Sequence, residues 1–349
     1  MRFAMGAGGT GGHIVPALAL AKELSMQGHE CIFIGNAHSM EERMAMQAGI
    51  PFHRIKVQKL YRSFKPDNLL FPIHLISSIF HSIRILKEGK IDGVITTGGF
   101  VAGPVAIAAI LLKLPCFLHE SNSYPGLTTR HLAKRLSRLY ISFEDARKYL
   151  PGVKAFNYGI PIQKKEHKRP DLGLYGLDES RPCLLITGGS QGSLAINSAI
   201  STILDILITD GWQILWQTGG TTYRKFHAKH HATQGVHLFD FSPDLASMML
   251  RADLAITRAG AMTIAELESA ALPAILIPLP TAAENHQYYN ALAQKQKGVA
   301  ELIPQKDLSP QNLLTTIKTM DREDMRSRLL ALPVNSAAEM IVKDILALY

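Results

Sequence analysis

Cysteine is scarce: there are three in 349 residues, Cys31, Cys116 and Cys183. The count is odd, no pair has metal-ligand spacing, and each lies in an apolar run that reads as a strand. That argues against a disulfide framework or a zinc ribbon, and for buried structural thiols in a reducing compartment. Long apolar runs are missing as well. The opening stretch MRFAMGAGG lacks the apolar core of a signal peptide. The longest run, Val101 to Leu118, is broken by Pro104, Lys113 and Pro115, and reads as a buried helix followed by a strand. A cytoplasmic protein is expected. There is no lysine–arginine tract and no motif of a DNA or RNA reader. The net charge of +8, from 37 basic and 29 acidic residues, therefore suits a phosphorylated metabolite or an anionic membrane better than nucleic acid.

What is present is an alternation of short apolar runs and helical patterns, over a length that implies about two domains. Strands are expected at Arg2–Met5, Glu30–Ile34, Gly93–Thr96 and Cys116–His119, with helices at Pro16–Gln27, Ser39–Ala48 and Val101–Leu112. The stretch from Gly159 to Pro182 is rich in proline and charge and reads as a linker. The alternation then restarts with strand Cys183–Thr187, helix Leu194–Leu207 and strand Gln213–Gln217. Further strands follow at Val236–Phe239, Leu254–Thr257 and Ala274–Ile277. The expected fold is α/β: two Rossmann-like, doubly wound parallel-sheet domains facing across a cleft, where ligands meet the carboxyl ends of the strands. The expected division is residues 1–160, residues 161–335, and a tail helix, 336–349, packed back on the first domain.

Glycine-rich turns follow several of these strands. The first, Gly6 to His13, satisfies the dinucleotide fingerprint at Gly6, Gly8 and Gly11. A nicotinamide site also needs an acid at the end of the second strand, and that strand ends Phe33-Ile34-Gly35-Asn36, which excludes a dehydrogenase. Turns at Gly188–Gly192 and Gly98–Pro104 follow the same strand-turn-helix pattern. Glycine lets backbone N–H groups approach a ligand, and the next helix points its positive end at it. In Thr257 to Leu267 a helix N-terminus near Ala261 suits a diphosphate, and Glu266, a turn further on, can accept both hydroxyls of a ribose. Gln287 opens another helix within reach of sugar hydroxyls. His227 and His231 have the i, i+4 spacing of metal ligands but no third partner nearby, and read as a solvated helix face.

Taken together, the stretches GGTGGH, GGFVAGP, HESN with PGLT, GGSQGS with Asn197, TRAGAMTIAE and NHQYYNA, spread from residue 8 to residue 291, resemble the MurG family. These are the transferases that move N-acetylglucosamine from its UDP carrier to a lipid-linked muramyl-pentapeptide, lipid I, to make lipid II. The resemblance implies the GT-B fold, no metal and no cofactor. It implies that Ser190, Arg258, Ala261, Met262, Thr263, Glu266 and Gln287 contact the UDP-sugar, and that Thr10, Gly11, Gly12 and Asn122 lie where sugar and acceptor meet. Three positions depart from the family pattern: Phe100 replaces tyrosine, Gln163 replaces arginine and Thr129 replaces asparagine.

The family inverts at the anomeric carbon, which requires a base on the acceptor hydroxyl and a site for the leaving UDP. His13 is the first candidate for the base and Glu120 the second; a structural carboxylate is the alternative reading of Glu120. The acceptor's lipid implies peripheral attachment to the cytoplasmic face of the inner membrane. A candidate anchor is Leu69 to Ile76 with Ile79 and Phe80, fringed by Arg54, Lys56, Lys59, Arg62, Lys65, Arg84, Lys87 and Lys90. A buried core helix is the competing reading. The resemblance also implies partners among other cell-wall synthesis and division proteins. On the same fold, a UDP-sugar 2-epimerase or a non-catalytic UDP-sugar-binding scaffold are the alternatives.

Overall fold

The computed structural model describes residues 1–58, 70–162 and 168–349. It divides into two compact units: Met1–Lys164 with Asn335–Tyr349, and Lys165–Val334. Among the described residues, no helix is long and apolar enough to cross a membrane.

The first unit is built on seven parallel strands: β1 Arg2–Ala7, β2 Glu30–Asn36, β3 Phe52–Ile55, β4 Gly93–Gly98, β5 Cys116–Glu120, β6 Arg138–Ile141 and β7 Ala155–Asn157. Their order is β3-β2-β1-β4-β5-β6-β7. The central strands are continuous apolar runs because helices cover both faces, so no alternation survives. Phe3 of β1 pairs with Cys31 on one side and Gly93 on the other. The strand order reverses between β1 and β4, and the loops leaving those two strands flank the switch point where open α/β sheets bind ligands. Strands β3, β6 and β7, three or four residues long, are not among those expected from the sequence.

Five helices connect these strands: α1 Gly11–Met26, α2 Met40–Gln47, α3 Phe71–Glu88, α4 Ala102–Leu111 and α5 Leu127–Leu132. Helix α1 starts five residues before the expected Pro16, which lies inside it. The pair Gly11-Gly12 and His13 thus form its first turn, where free N–H groups matter more than helix propensity.

The second unit repeats the plan with six parallel strands: β8 Cys183–Thr187, β9 Gln213–Gln217, β10 Val236–Phe239, β11 Leu254–Thr257, β12 Ala274–Leu276 and β13 Ala300–Leu302. Their order is β10-β9-β8-β11-β12-β13, so the switch point falls between β8 and β11. Helices α6 Leu194–Thr209, α7 Tyr223–His230, α8 Leu245–Met249, α9 Ala261–Ser269, α10 His286–Gln296, α11 Pro310–Thr319 and α12 Arg322–Leu330 complete it. The last helix, α13 Ala337–Leu346, belongs to the first unit: Ile341, Val342 and Ile345 are fully buried with Leu20 and Leu24 of α1.

Candidate active site

In the first unit, the turns after β1 and β4 lock into each other. A methyl group on Gly99 (φ +78°) would stand 1.9 Å from the Gly8 carbonyl oxygen, and one on Gly98 (φ +106°) 2.6 Å from His13 Nδ1. Only glycine permits both the left-handed backbone and this approach. Gly11, by contrast, faces open space, so the protein's own packing does not demand it. Thr10 is the N-cap of α1, yet its hydroxyl makes no capping bond.

The His13 ring is oriented by its own loop partners. His13 Nδ1 donates to the Thr97 carbonyl at 3.0 Å, and Thr97 Oγ1 donates to the His13 carbonyl at 2.6 Å. A carbonyl only accepts, so Nδ1 carries a proton, and whenever the ring is neutral Nε2 is its basic nitrogen. Beneath the turn lies Glu41, 1 % exposed, whose oxygens accept from Gly9 N (3.4 Å) and Asn36 N (3.3 Å). Sequence reasoning missed Glu41 because it reads as an ordinary surface residue of an amphipathic helix.

Glu120 lies at the end of β5 and is buried. Oε1 accepts from Asn122 N (3.0 Å) and Asn122 Nδ2 (3.2 Å); Oε2 accepts from Gly126 N (2.9 Å) and Thr129 Oγ1 (2.6 Å). Four donors fix the carboxylate as the clamp of the loop between β5 and α5. Thr129, one of the departures, keeps a donor on Glu120. Phe100, another, lays its ring edge 3.0 Å from where a Gly9 side chain would begin. The third, Gln163, lies outside the described residues. Behind the clamp, burial pushes the His119 imidazole down to about 4; the Gly159 carbonyl that accepts from Nε2 (3.0 Å) opposes the shift, and the charge of His13 adds to it.

In the second unit, Ser193 caps α6, accepting from Ile196 N, and also accepts from Arg258 Nη2 at 2.7 Å. The other Nη2 bond goes to Gln305 Oε1 (2.7 Å), and Nη1 donates to the carbonyls of Ile277 (3.0 Å) and Pro278 (3.1 Å). Every one of these acceptors is neutral. Arg258 forms no ion pair among the described residues, and burial lowers its pKa. It therefore ties three loops together and carries an uncompensated positive charge into their midst. Ser190 stands exposed at the tip of the glycine turn.

Ala261, Met262 and Thr263 form the first turn of α9, whose N-cap is Gly260, with no side-chain cap and no acid in that turn. Its N–H groups and dipole are open to an anion. Glu266 lies one turn on, half-buried, with no hydrogen bond or ion pair among the described residues; burial pushes its carboxyl up to about 7. Gln287, in the first turn of α10, accepts from Leu279 N through Oε1 at 3.0 Å, which leaves its NH2 group as a donor. Just before it, Glu284 and Asn285 both adopt left-handed backbone (φ +54° and +55°). Two consecutive non-glycine residues in that region are strain of the kind found at ligand sites. Asn197, by contrast, is a core residue: it donates to Thr218 O and Thr222 Oγ1 and accepts from Trp216 Nε1.

The site residues thus fall into two groups. Thr10, Gly11, Gly12, His13, Glu120 and Asn122 lie on the carboxyl edge of the first sheet. Ser190, Arg258, Ala261 to Thr263, Glu266 and Gln287 lie on that of the second. Two parallel sheets, each with a glycine turn beside its switch point, define the GT-B class of glycosyltransferases. The chain belongs to glycosyltransferase family 28: residues 3–141 match the family's N-terminal domain and residues 183–347 its C-terminal domain. It is 34% identical to the UDP-N-acetylglucosamine–N-acetylmuramyl-(pentapeptide) pyrophosphoryl-undecaprenol N-acetylglucosamine transferase of Desulfitobacterium hafniense, over 97% of this chain and 95% of that one. To the Bacillus subtilis protein of the same name it is 35% identical, over 92% and 90%. The crystal structure of MurG from Acinetobacter baumannii superposes with a TM-score of 0.82 at 28% identity, covering 99% of each chain.

Helix α3 carries both a core face and an exposed apolar stripe. Ser78, Ser82 and Leu86 are buried, with Ile83 and Ile85 packed against the same core, whereas Leu70, Ile73, Ile76 and Phe80 are exposed. The serine hydroxyls donate to Leu75 O and Ser78 O, so they enter the interior already satisfied. Leu69, Lys59, Arg62 and Lys65 lie outside the described residues. Lys113, Lys134 and Arg135, which the linear reading missed, are exposed on segments that pack into the same core as α3 and α4.

Proposed function

We propose that this chain transfers N-acetylglucosamine from UDP-N-acetylglucosamine to the undecaprenyl-pyrophosphoryl N-acetylmuramyl-pentapeptide specified in its relatives' name, making lipid II for peptidoglycan synthesis. The observation that carries the donor side is the setting of Glu266. A partnerless carboxylate lies one turn inside a helix whose uncapped N-terminus adjoins the buried charge of Arg258. Nucleoside diphosphates present this pattern in reverse: two ribose hydroxyls that donate, and a diphosphate that accepts. The α9 N–H groups would hold the diphosphate, Glu266 the ribose and Gln287 the sugar hydroxyls. Arg258, its fork already engaged, would act through its charge and through the loops it holds.

On the acceptor side, His13 Nε2 would take the proton of the acceptor hydroxyl as its oxygen attacks the anomeric carbon. The C–O bond to UDP breaks, and the electron pair leaves with the diphosphate, where α9 and Arg258 offset the charge. Because four donors hold its carboxylate, Glu120 suits the role of loop clamp better than that of base. The exposed apolar stripe of α3, with Lys87 and Lys90 beyond it and Lys113, Lys134 and Arg135 on neighbouring segments, suits peripheral binding to anionic lipid at the cytoplasmic face of the inner membrane.

The test is to incubate the protein with UDP-N-acetylglucosamine, with and without the lipid-linked acceptor, and to measure UDP release. Acceptor-dependent release is expected. Turnover of the UDP-sugar without acceptor would indicate a 2-epimerase, and binding without turnover a scaffold; either would overturn the transferase reading.

A further inference from the structure

Gln217 ends β9 in a place where an apolar side chain would be the simpler choice. Its side chain is 1 % exposed, and burying a carboxamide is costly unless every polar atom is paired. Both ends are paired, each to a different loop. Nε2 donates to Thr187 Oγ1 at 2.9 Å, and that hydroxyl also accepts from Gly189 N at 3.0 Å, inside the glycine turn after β8. Oε1 accepts from Ser242 N at 3.0 Å, in the loop after β10. The relay thus runs Gly189, Thr187, Gln217, Ser242, from one ligand-edge loop to another two strands away.

The main chain around it supports the same alignment. Gly219 N donates to Asp240 O at 3.0 Å, and Gly219 backs onto Gly192 so closely that a methyl group on either would overlap the other's surroundings at about 2 Å. Between Asp240 and Ser242 stands Phe241, an aromatic ring 54 % exposed. A flat apolar surface set beside a phosphate-type turn fits a ligand with a planar base at one end and a diphosphate at the other.

We propose that Gln217, through Thr187, is a positioning residue for nucleotide binding, setting the spacing between the glycine turn and the Phe241 loop so that one nucleoside diphosphate spans both. This rests on the UDP-sugar reading above. The tests are Gln217→Met, which keeps the volume and removes both contacts, and Thr187→Val, which removes the shared hydroxyl. Each should raise the Kd for UDP, measured by titration calorimetry, and the KM for UDP-N-acetylglucosamine by about tenfold, as expected for one lost buried hydrogen bond, with kcat nearly unchanged. Thr187→Ser should restore wild-type values. If Gln217 acts through the Phe241 loop, the losses in Gln217→Met and Phe241→Ala will not add in the double variant. Wild-type affinity in a folded Gln217→Met or Thr187→Val protein would overturn the relay, and so would fully additive losses. Absence of UDP binding by the wild type would overturn the UDP-sugar reading and the relay with it.

Discussion

Two side chains on the two sheet edges face opposite electrostatic tasks. As the proposed base, His13 would need Nε2 free of a proton, and the Thr97 carbonyl accepting from Nδ1 places the neutral ring's proton there. Replacing His13 with Ala should lower kcat by about 10²- to 10⁴-fold while calorimetric binding of UDP-N-acetylglucosamine changes little; a kcat near wild type would remove it as the base. Burial pushes the Glu266 carboxyl up from 4.5 to about 7, whereas the proposed ribose contact calls for the ionised form. A raised carboxyl pKa means that stability is fullest below the unfolded value and is lost as pH rises through 7. In the proposed complex, ribose hydroxyls would offset that loss, so binding would favour the ionised form. Affinity for UDP-N-acetylglucosamine should fall about three- to tenfold from pH 8 to pH 6, and Glu266→Gln should bind more weakly with no pH dependence. A wild-type affinity flat across that range would refute the assignment. Both residues lie in glycine-turn stretches that stand out in the sequence. Glu41, Thr187 and Gln217 do not stand out: each is a polar residue in an ordinary helix or strand pattern, and its partners come from distant parts of the chain. Buried hydrogen bonds of that kind leave no periodic trace.

At the level of the element, α3 has apolar residues on two faces. Its apolar pattern is legible, but a pattern does not say which face is covered. Leu86 and two serines that satisfy their hydroxyls on the helix's own carbonyls are buried on the inner face, and Ile73, Ile76 and Phe80 take the outer one. Substituting Phe80 or Ile73 with Glu should therefore leave thermal stability within about 0.5 kcal/mol of wild type, as at other exposed sites. The same change removes on the order of 2 kcal/mol of apolar transfer to lipid and adds a like charge to an anionic surface, so co-sedimentation with phosphatidylglycerol vesicles should drop at least tenfold. Unchanged sedimentation, or a large loss of stability, would show that the stripe is not a lipid-facing surface. A smaller misreading concerns α1, where Pro16 looks like a helix start and Gly11-Gly12 like loop. Propensity favours that reading, but the helix begins at Gly11 and runs through the proline.

At the level of the whole molecule, the repeated strand order explains why the division into two α/β halves was visible in the sequence: each half restarts with a buried strand, a glycine turn and a helix. The tail helix is expected on the first domain and lies there, whereas strands β3, β6, β7 and β13 are not read, because their three or four residues lie outside the recognised strand-turn-helix stretches. That helix, α13, closes the first unit from the far end of the chain. Tyr140 Oη donates to Asp344 Oδ2 at 2.8 Å, and Tyr349 Oη to the Asp92 carbonyl at 3.0 Å, around a fully buried Ile341, Val342 and Ile345. The chain therefore completes its first unit only after the second has been made, and the stability of the first depends on residues that follow the second. Ile345→Ala should cost the first unit about 2–5 kcal/mol through the cavity it leaves. Calorimetric scans should then show one transition moved down, with the UDP-stabilised transition of residues 165–334 in place. Titration with UDP below the lower transition should return the wild-type Kd. Loss of UDP binding in parallel with the melting of the first unit would mean instead that the two units fold as one cooperative block.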